Sequence, residues 1–189
     1  MVPVGSMRAM STAGGGFLPT SECVFMSRRS FHMFNELYAP MICGYGTAGF
    51  WMSVVPQASQ VHESIKHLVI AASNATCRQL SGLDCPSVAF LTHYGRALGL
   101  LGNAPQDVIT IAISCVLIAF CEELHDRRSE AQRHIQAGQR MLAAQSQDGS
   151  ALASWTGTTT LDEIVSTLSC LSSPRRIIRW GLPLTVFGC

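Results

Sequence analysis

Charge is scarce in this sequence: Asp, Glu, Lys and Arg make up 13% of its 189 residues, against about 25% in an average globular protein. The 13 basic and 12 acidic side chains nearly cancel, leaving a formal net charge of +1. Such a chain has no global field to draw it to nucleic acid or an anionic membrane. Aromatic residues are also few, at 7%, yet apolar residues in total reach 48%. That excludes an intrinsically disordered class, which lacks apolar surface to bury. It implies a large core, or a surface covered by a partner or by further chain.

Long hydrophobic runs are missing too. The longest, "VITIAISCVLIAFC" at 108–121, is interrupted by Thr110 and Ser114 and ends at Glu122 and Glu123. Spanning a bilayer takes about 20 residues, so this reads as a buried core helix of a soluble protein with no membrane partner. The start, "MVPVGSMRAMSTAGGGFLP", lacks the basic-then-apolar order of a secretory signal. The eight cysteines (23, 43, 77, 85, 115, 121, 170 and 189) include no Cys-x-x-Cys pair. They read as reduced, mostly buried small hydrophobes, as expected of an intracellular compartment. Clean alternation of apolar and polar residues is absent as well. Apolar positions recur at three and four, so the expected class is all-α.

Residues 1–30 read as a flexible lead-in, 31–171 as one helical domain and 172–189 as an irregular tail. "FHMFNELYAP" carries a first helical stretch ending at Pro40. Phe50 and Trp51 stand on a short segment that Pro56 is expected to separate from a longer helix over 61–80. There Val61, Ile65, Leu68, Val69, Ala72 and Ala75 share one face, with Glu63 and Arg78 suited to the two ends of the helix dipole. Further helices are expected over 86–101, opened by Pro86, from Pro105 and Asp107 to about Leu124, and over about 129–144. The short "HDRRS" connector folds the last of these back antiparallel. Thr160-x-x-Glu163 reads as a capping box before a final short helix. "FLTHYGRALGLL" and "AQRHIQAGQRML" superimpose at an offset of 41, with His93 on His134, Ala97 on Gly138, Leu100 on Met141 and Leu101 on Leu142. A small residue followed by a bulky pair lets helices approach closely. The expected architecture is therefore stacked antiparallel helical hairpins, a bundle or short α-solenoid-like array.

Catalytic and metal signatures are thin. "GYGTAGFWM" has neither the preceding strand nor the Lys-Ser/Thr pair of a phosphate loop. His62 and His67 are five apart, too wide for one helical face. Cys121 and His125, with His134 across the connector, make a three-ligand zinc site geometrically conceivable; the simpler reading makes Cys121 core and His125 a helix-end residue. Glu122 and Glu123 are adjacent and point to different sides, which is no catalytic pair. There is no Gly-x-Ser-x-Gly elbow. Arg175, Arg176 and Arg179 beside Trp180 read as solvated surface rather than a nucleic-acid site. Tyr45, Phe50 and Trp51 read as anchors in the core rather than as pocket walls. No catalytic, cofactor-binding or metal-ligating residue is assigned, and no cofactor is expected.

"GYGTAGFWMSVVPQASQVHESIKHLVIAAS", "VAFLTHYGRALGLL" and "DVITIAISCVLIAFCEELHDRRSEAQRHIQAGQRML" together resemble the core of one family. It is the C-terminal regulatory domain of fungal zinc-cluster transcription factors, whose DNA reader is a six-cysteine binuclear zinc cluster. The matching positions are Phe50, Trp51, Gln57, Ser59, Glu63, Ser64, Ile65, Lys66 and His67, then His93, Tyr94, Ala97 and Leu101. They continue with Ile113, Ser114, Cys115, Glu122, Ala131, His134 and Gly138, and cover roughly residues 40–145. No six-cysteine cluster is present: the first thirty residues hold one cysteine. The resemblance implies a transcription regulator acting through protein partners, a homodimer among them, or through an effector, in the nucleus and without DNA contact of its own. Outside that context the expected compartment is the cytoplasm. The competing readings are a small helical enzyme of secondary metabolism and a helical-repeat adaptor. A perturbed His or Cys deep in a polar-lined cavity would favour the enzyme, and an exposed apolar concave groove the adaptor.

Overall fold

The computed structural model describes residues 21–82, 87–103, 105–147 and 158–172, and among them there are helices and connecting turns but no strand. Helix α1 (Ser21–Met33) begins ten residues before the expected start at 31. It runs directly into a wide turn at Phe34–Tyr38, where the Ala39 N–H donates to the Phe34 carbonyl, and then into α2 (Ala39–Met41). A second wide turn, Phe50–Val54, closes in the same way, from the Val55 N–H to the Phe50 carbonyl, and leads into α3 (Val55–Val61). Both turns carry the same pattern: a buried Phe, and a proline six positions later, Pro40 or Pro56. A proline in a helix has no N–H to donate and crowds the carbonyl four residues back. An i→i+5 turn placed just upstream widens the helix where that crowding would fall.

Pro56 was expected to end the segment bearing Phe50 and Trp51, and it does not. The helix passes through it and breaks at His62, whose backbone is extended (φ −111°, ψ 114°). Val61, expected on the buried face of one helix over 61–80, therefore terminates α3 and is 74% exposed. Helix α4 (Glu63–Leu80) starts beyond the break, with Glu63 in its first turn and Arg78 in its last, as the sequence indicates. The remaining face residues, Ile65, Leu68, Val69, Ala72 and Ala75, are buried.

Helix α5 spans Val88–Asn103, with Pro86 outside the described residues, and α6 spans Val108–Leu124. Asp107 caps α6: its carboxylate accepts from the Thr110 N–H at 2.8 Å, a contribution of about 1 kcal/mol. Two residues past α6, Asp126 takes a left-handed conformation (φ 58°), and the chain reverses into α7 (Arg128–Gln147). Asp tolerates that region better than most side chains. Helix α8 (Thr158–Leu171) starts before Thr160, which places Thr160 inside the helix rather than at a cap. The polar loop ahead of it and the tail from 173, with Arg175, Arg176, Arg179 and Trp180, lie outside the described residues.

Helices α4 and α5 form one antiparallel hairpin, α6 and α7 another, and the two stack through α4 on α6. Helix α1 lies along α4, while α8 closes on α6, on α7 and on the Phe50–Val54 turn. The strongly apolar α6 is the centre of the stack and is buried almost all round. At one end of it Phe34, Phe50, Trp51 and Phe120 form a ring cluster, with Trp51 5.4 Å from Phe120 and 4.9 Å from Phe50. Burying each such side chain contributes roughly 1.5–3 kcal/mol. Gly138 supplies the close approach expected of it: a Cβ there would meet Cys115 Cβ at 3.2 Å and the Leu168 methyls at 3.3 Å. Ala97, its counterpart in the faint repeat, is fully buried.

Candidate functional site

Helix α4 brings Glu63, Lys66, His67 and Ile70 onto one face by their spacing of three and four. Helix α5 sets Thr92, His93 and Arg96 opposite them, and α1 adds Ser27, Arg28 and Phe31. Ser59 and Gln60 of α3 complete the wall of a cavity of about 500 Å³. The extended residue His62 makes this possible, because it turns α3 away from the axis of α4 and leaves the start of α4 open. His62 makes no side-chain capping bond to that start.

Two histidines meet in the wall. His67 Nδ1 and His93 Nδ1 are 2.8 Å apart, with rings tilted by 35°, and both side chains are buried, at 8% and 9% exposure. On its other side, His93 Nε2 lies 3.1 Å from Ser27 Oγ. The His67 Nε2 is buried and has no hydrogen-bond partner among the described residues. Proton accounting orients this chain. If His67 Nδ1–H donates to His93 Nδ1, then His93 Nε2–H donates to Ser27 and the His67 Nε2 is left as a bare acceptor. The opposite polarity would bury an orphan N–H, the more costly outcome.

The electrostatics hold the pair neutral. Burial, followed by the fields of His93, Arg96 and Lys66, pushes the His67 ring down to about 4, with Glu63 opposing. Burial and then Arg96 push His93 down as well. Two imidazolium rings at this separation would each present a proton to the other, so the pair accepts at most one extra proton. Around it stand three cations, Arg28, Lys66 and Arg96, against one acid, Glu63. None of the three cations forms an ion pair among the described residues.

The other sequence candidates take structural places. The Cys121 thiol is fully buried, and burial pushes its proton affinity up. His125 Nδ1 donates to the Cys121 carbonyl at 2.8 Å, and its ring packs 4.4 Å from Phe90. His134 does not join them: among the described residues no three His, Cys, Asp or Glu side chains gather around one point. Glu122 and Glu123 diverge, Glu122 towards Tyr94 and Arg127 and Glu123 towards Tyr45. Phe50 and Trp51 sit in the ring cluster with no exposure. His62 lies 3.3 Å from the Thr110 hydroxyl, which itself donates to Asp107 at 2.5 Å.

Sequence reasoning missed the His67–His93 pair, because the partners are 26 positions apart on different helices. It also missed Ser27 and Arg28, which fall in the stretch expected to be a flexible lead-in. Only the charge pattern of α4 and α5, with Lys66, His67, His93 and Arg96 at helical spacing, carried a signal of a shared face. No helix among the described residues is long and apolar enough to cross a membrane. No protein-family model matches the chain, and no curated protein or solved structure does either.

Proposed function

We propose that this chain is a regulatory domain that responds to a small-molecule effector held between α1, α4 and α5, of the type that fungal zinc-cluster transcription factors carry. One observation carries the reading: a buried, hydrogen-bonded histidine pair forms part of the wall of a cavity of about 500 Å³, a volume within the usual range of small-ligand sites. The family-like positions lend support, because they meet one another in space. His67 bonds His93, Tyr94 bonds Glu122, and Gly138 faces Cys115. In this reading the motifs encode the packing of helix on helix around the cavity, and the output passes to protein partners in the nucleus, a second copy of the chain among them.

A reporter experiment tests it. The full chain is fused to an unrelated DNA-binding domain in fungal cells, and transcription of a reporter is read across growth conditions. The expected result is an output that departs severalfold from that of the DNA-binding domain alone and that changes with conditions. His67→Phe and Arg96→Gln should alter the response while leaving protein abundance unchanged. Output equal to the bare DNA-binding domain in every condition would sink the regulatory reading.

A second reading, the enzyme that a perturbed histidine in a polar-lined cavity favours, rests on the line Ser27 Oγ, His93, His67. As a hydroxyl, a base and an orienting group it needs the opposite tautomers, with His93 Nε2 bare towards Ser27 and His93 Nδ1–H donating to His67. Ser27 lies inside α1, however, where backbone N–H groups serve the helix. An oxyanion would then depend on the Lys66 or Arg96 side chain. Covalent labelling of Ser27 by a fluorophosphonate, lost in Ser27→Ala, would favour this enzyme reading. An unlabelled chain would count against it.

A further inference from the structure

We infer that the cavity between α1, α4 and α5 takes an organic carboxylate with an apolar body, and that its binding loads one proton onto the His67–His93 pair. The inference rests on the effector reading of this same cavity. Three features of the wall lead to it. Cations dominate, with Arg28, Lys66 and Arg96 against Glu63, and they come from three different helices. Each of the three is exposed and without an ion-pair partner among the described residues, so an incoming anion need not displace an internal acid. The wall also has apolar ground, in Phe31 and the buried Ile70, which a bare inorganic anion would leave unused.

The proton follows from the same layout. Without ligand, the pair stays neutral because burial and the surrounding cations both disfavour a charged ring. A carboxylate placed among those cations offsets their field and favours one imidazolium. One proton from solvent then adds to the bare His67 Nε2, and the His67 Nδ1–H···Nδ1 His93 bond, already 2.8 Å long, becomes a charge-assisted one. No heavy atom of the pair needs to move. The charged groups that line the cavity beside the pair are Arg28 from α1, Glu63 and Lys66 from α4, and Arg96 from α5; α3 contributes the non-titrating Ser59 and Gln60.

The test uses the full chain with benzoate, phenylacetate and cyclohexanecarboxylate as probes. Benzamide serves as the neutral isostere and inorganic phosphate as the bare anion. Binding is followed by NMR of labelled histidines and by calorimetry in two buffers of different ionisation enthalpy. The expected result is saturable binding of at least one carboxylate, with both His67 and His93 resonances shifting. Affinity should be roughly tenfold weaker for benzamide and roughly tenfold weaker in Arg96→Gln or Lys66→Gln. Calorimetry at pH 5 to 6 should register net proton uptake on binding, with affinity rising as pH falls. His67→Asn with His93→Gln places amides where ring nitrogens stood, and should bind without proton uptake if it melts like the parent chain.

Benzamide binding as tightly as benzoate would overturn the anion assignment while leaving the effector reading intact. Phosphate binding as tightly as the carboxylates would overturn the apolar body. Carboxylate binding without proton uptake in the parent chain would overturn the coupling. If no carboxylate binds at millimolar concentration the inference fails outright, and the reporter experiment still judges the regulatory reading by itself.

Discussion

Tyr94 Oη donates a 2.5 Å hydrogen bond to Glu122 Oε1, tying α5 to the end of α6 through a carboxylate that is only 6% exposed. The same carboxylate is reached from outside by the half-exposed Arg127, at 3.2 Å. Tyr94→Phe removes the donor and leaves a buried charged oxygen without it. The expected cost is about 1–3 kcal/mol, read as a lower urea midpoint. Glu122→Gln, which keeps an acceptor towards Tyr94, should cost less. A Tyr94→Phe midpoint identical to that of the parent would mean that water satisfies Glu122.

The neutral histidine pair makes stability depend on pH with a definite sign. In the unfolded chain a histidine titrates near about 6.5, whereas burial holds His67 down to about 4 in the fold. Between these values the unfolded state binds the proton and the folded state does not. The pair's contribution is therefore fully present above about 6.5 and drains away as pH falls towards 4. Allowing for solvent screening, the loss should be roughly 1–3 kcal/mol. Urea melts at pH 7.5, 5.5 and 4.5 measure it, and His67→Leu should flatten the upper part of the slope. An unchanged slope in that variant would place the acid sensitivity elsewhere.

Gly138 faces Cys115 and Leu168 too closely for any added side chain to be free of cost. Gly138→Leu should destabilise by roughly 1–3 kcal/mol through overpacking, and Ala97→Leu should do the same at its fully buried site. Gly138→Ala is the informative control. The gain of about 1 kcal/mol in helix propensity opposes a contact that asks Leu168 to yield by a few tenths of an ångström, so the melting temperature should hardly move. Unchanged melting for both leucine variants would refute the close packing.

Gly46 and Gly44 make a matched pair. Gly46 has a positive φ of 150°, and a Cβ there would stand 2.6 Å from Thr167 Cγ2, whereas among the described residues nothing lies within 4 Å of the same position on Gly44. Gly46→Ala should cost on the order of 1–3 kcal/mol, from strain and from displacing the buried Thr167. Gly44→Ala should be near neutral. Equal thermal shifts for the two would contradict the geometry of this loop.

The cysteines should separate by accessibility. Burial pushes the Cys115 thiol up to about 11 and leaves Cys121 without any exposure, while Cys77 is exposed. Iodoacetamide at neutral pH should modify Cys77 in the folded chain, and Cys115 and Cys121 only once the chain unfolds. Peptide mapping reads the difference directly. Rapid native labelling of Cys121 would mean that α6 opens locally.

What could be read from residues alone was whatever depends on local chemistry. The all-helical class, the opening of α6 at Asp107, the dipole-matched ends of α4 and the small residues at helix contacts all follow from spacing and side-chain type. The errors came where two segments compete or cooperate. Pro56 looks like a breaker because proline usually is one, yet the wide turn just ahead of it absorbs the ring. His62 carries no breaking signal, yet its extended backbone ends α3 and precedes α4. Thr160 and Glu163 have the spacing of a capping box, but the helix already begins at Thr158, and Glu163 instead lies against Gly49. The cavity was illegible for a related reason: its histidines become partners only after two helices have paired.

The twin turns ahead of Pro40 and Pro56 have a consequence for how such a chain tolerates change in length. Each behaves as one residue spliced into a helix, and one residue of an α-helix corresponds to roughly 100° of rotation about its axis. Phe34 and the Phe50–Trp51 pair thus point where they do because of that extra step. Deleting a residue within either turn would swing its aromatic out of the ring cluster, even with every remaining amino acid unaltered. Spacing itself carries information here: between each phenylalanine and its proline, the count of residues matters as much as their identity.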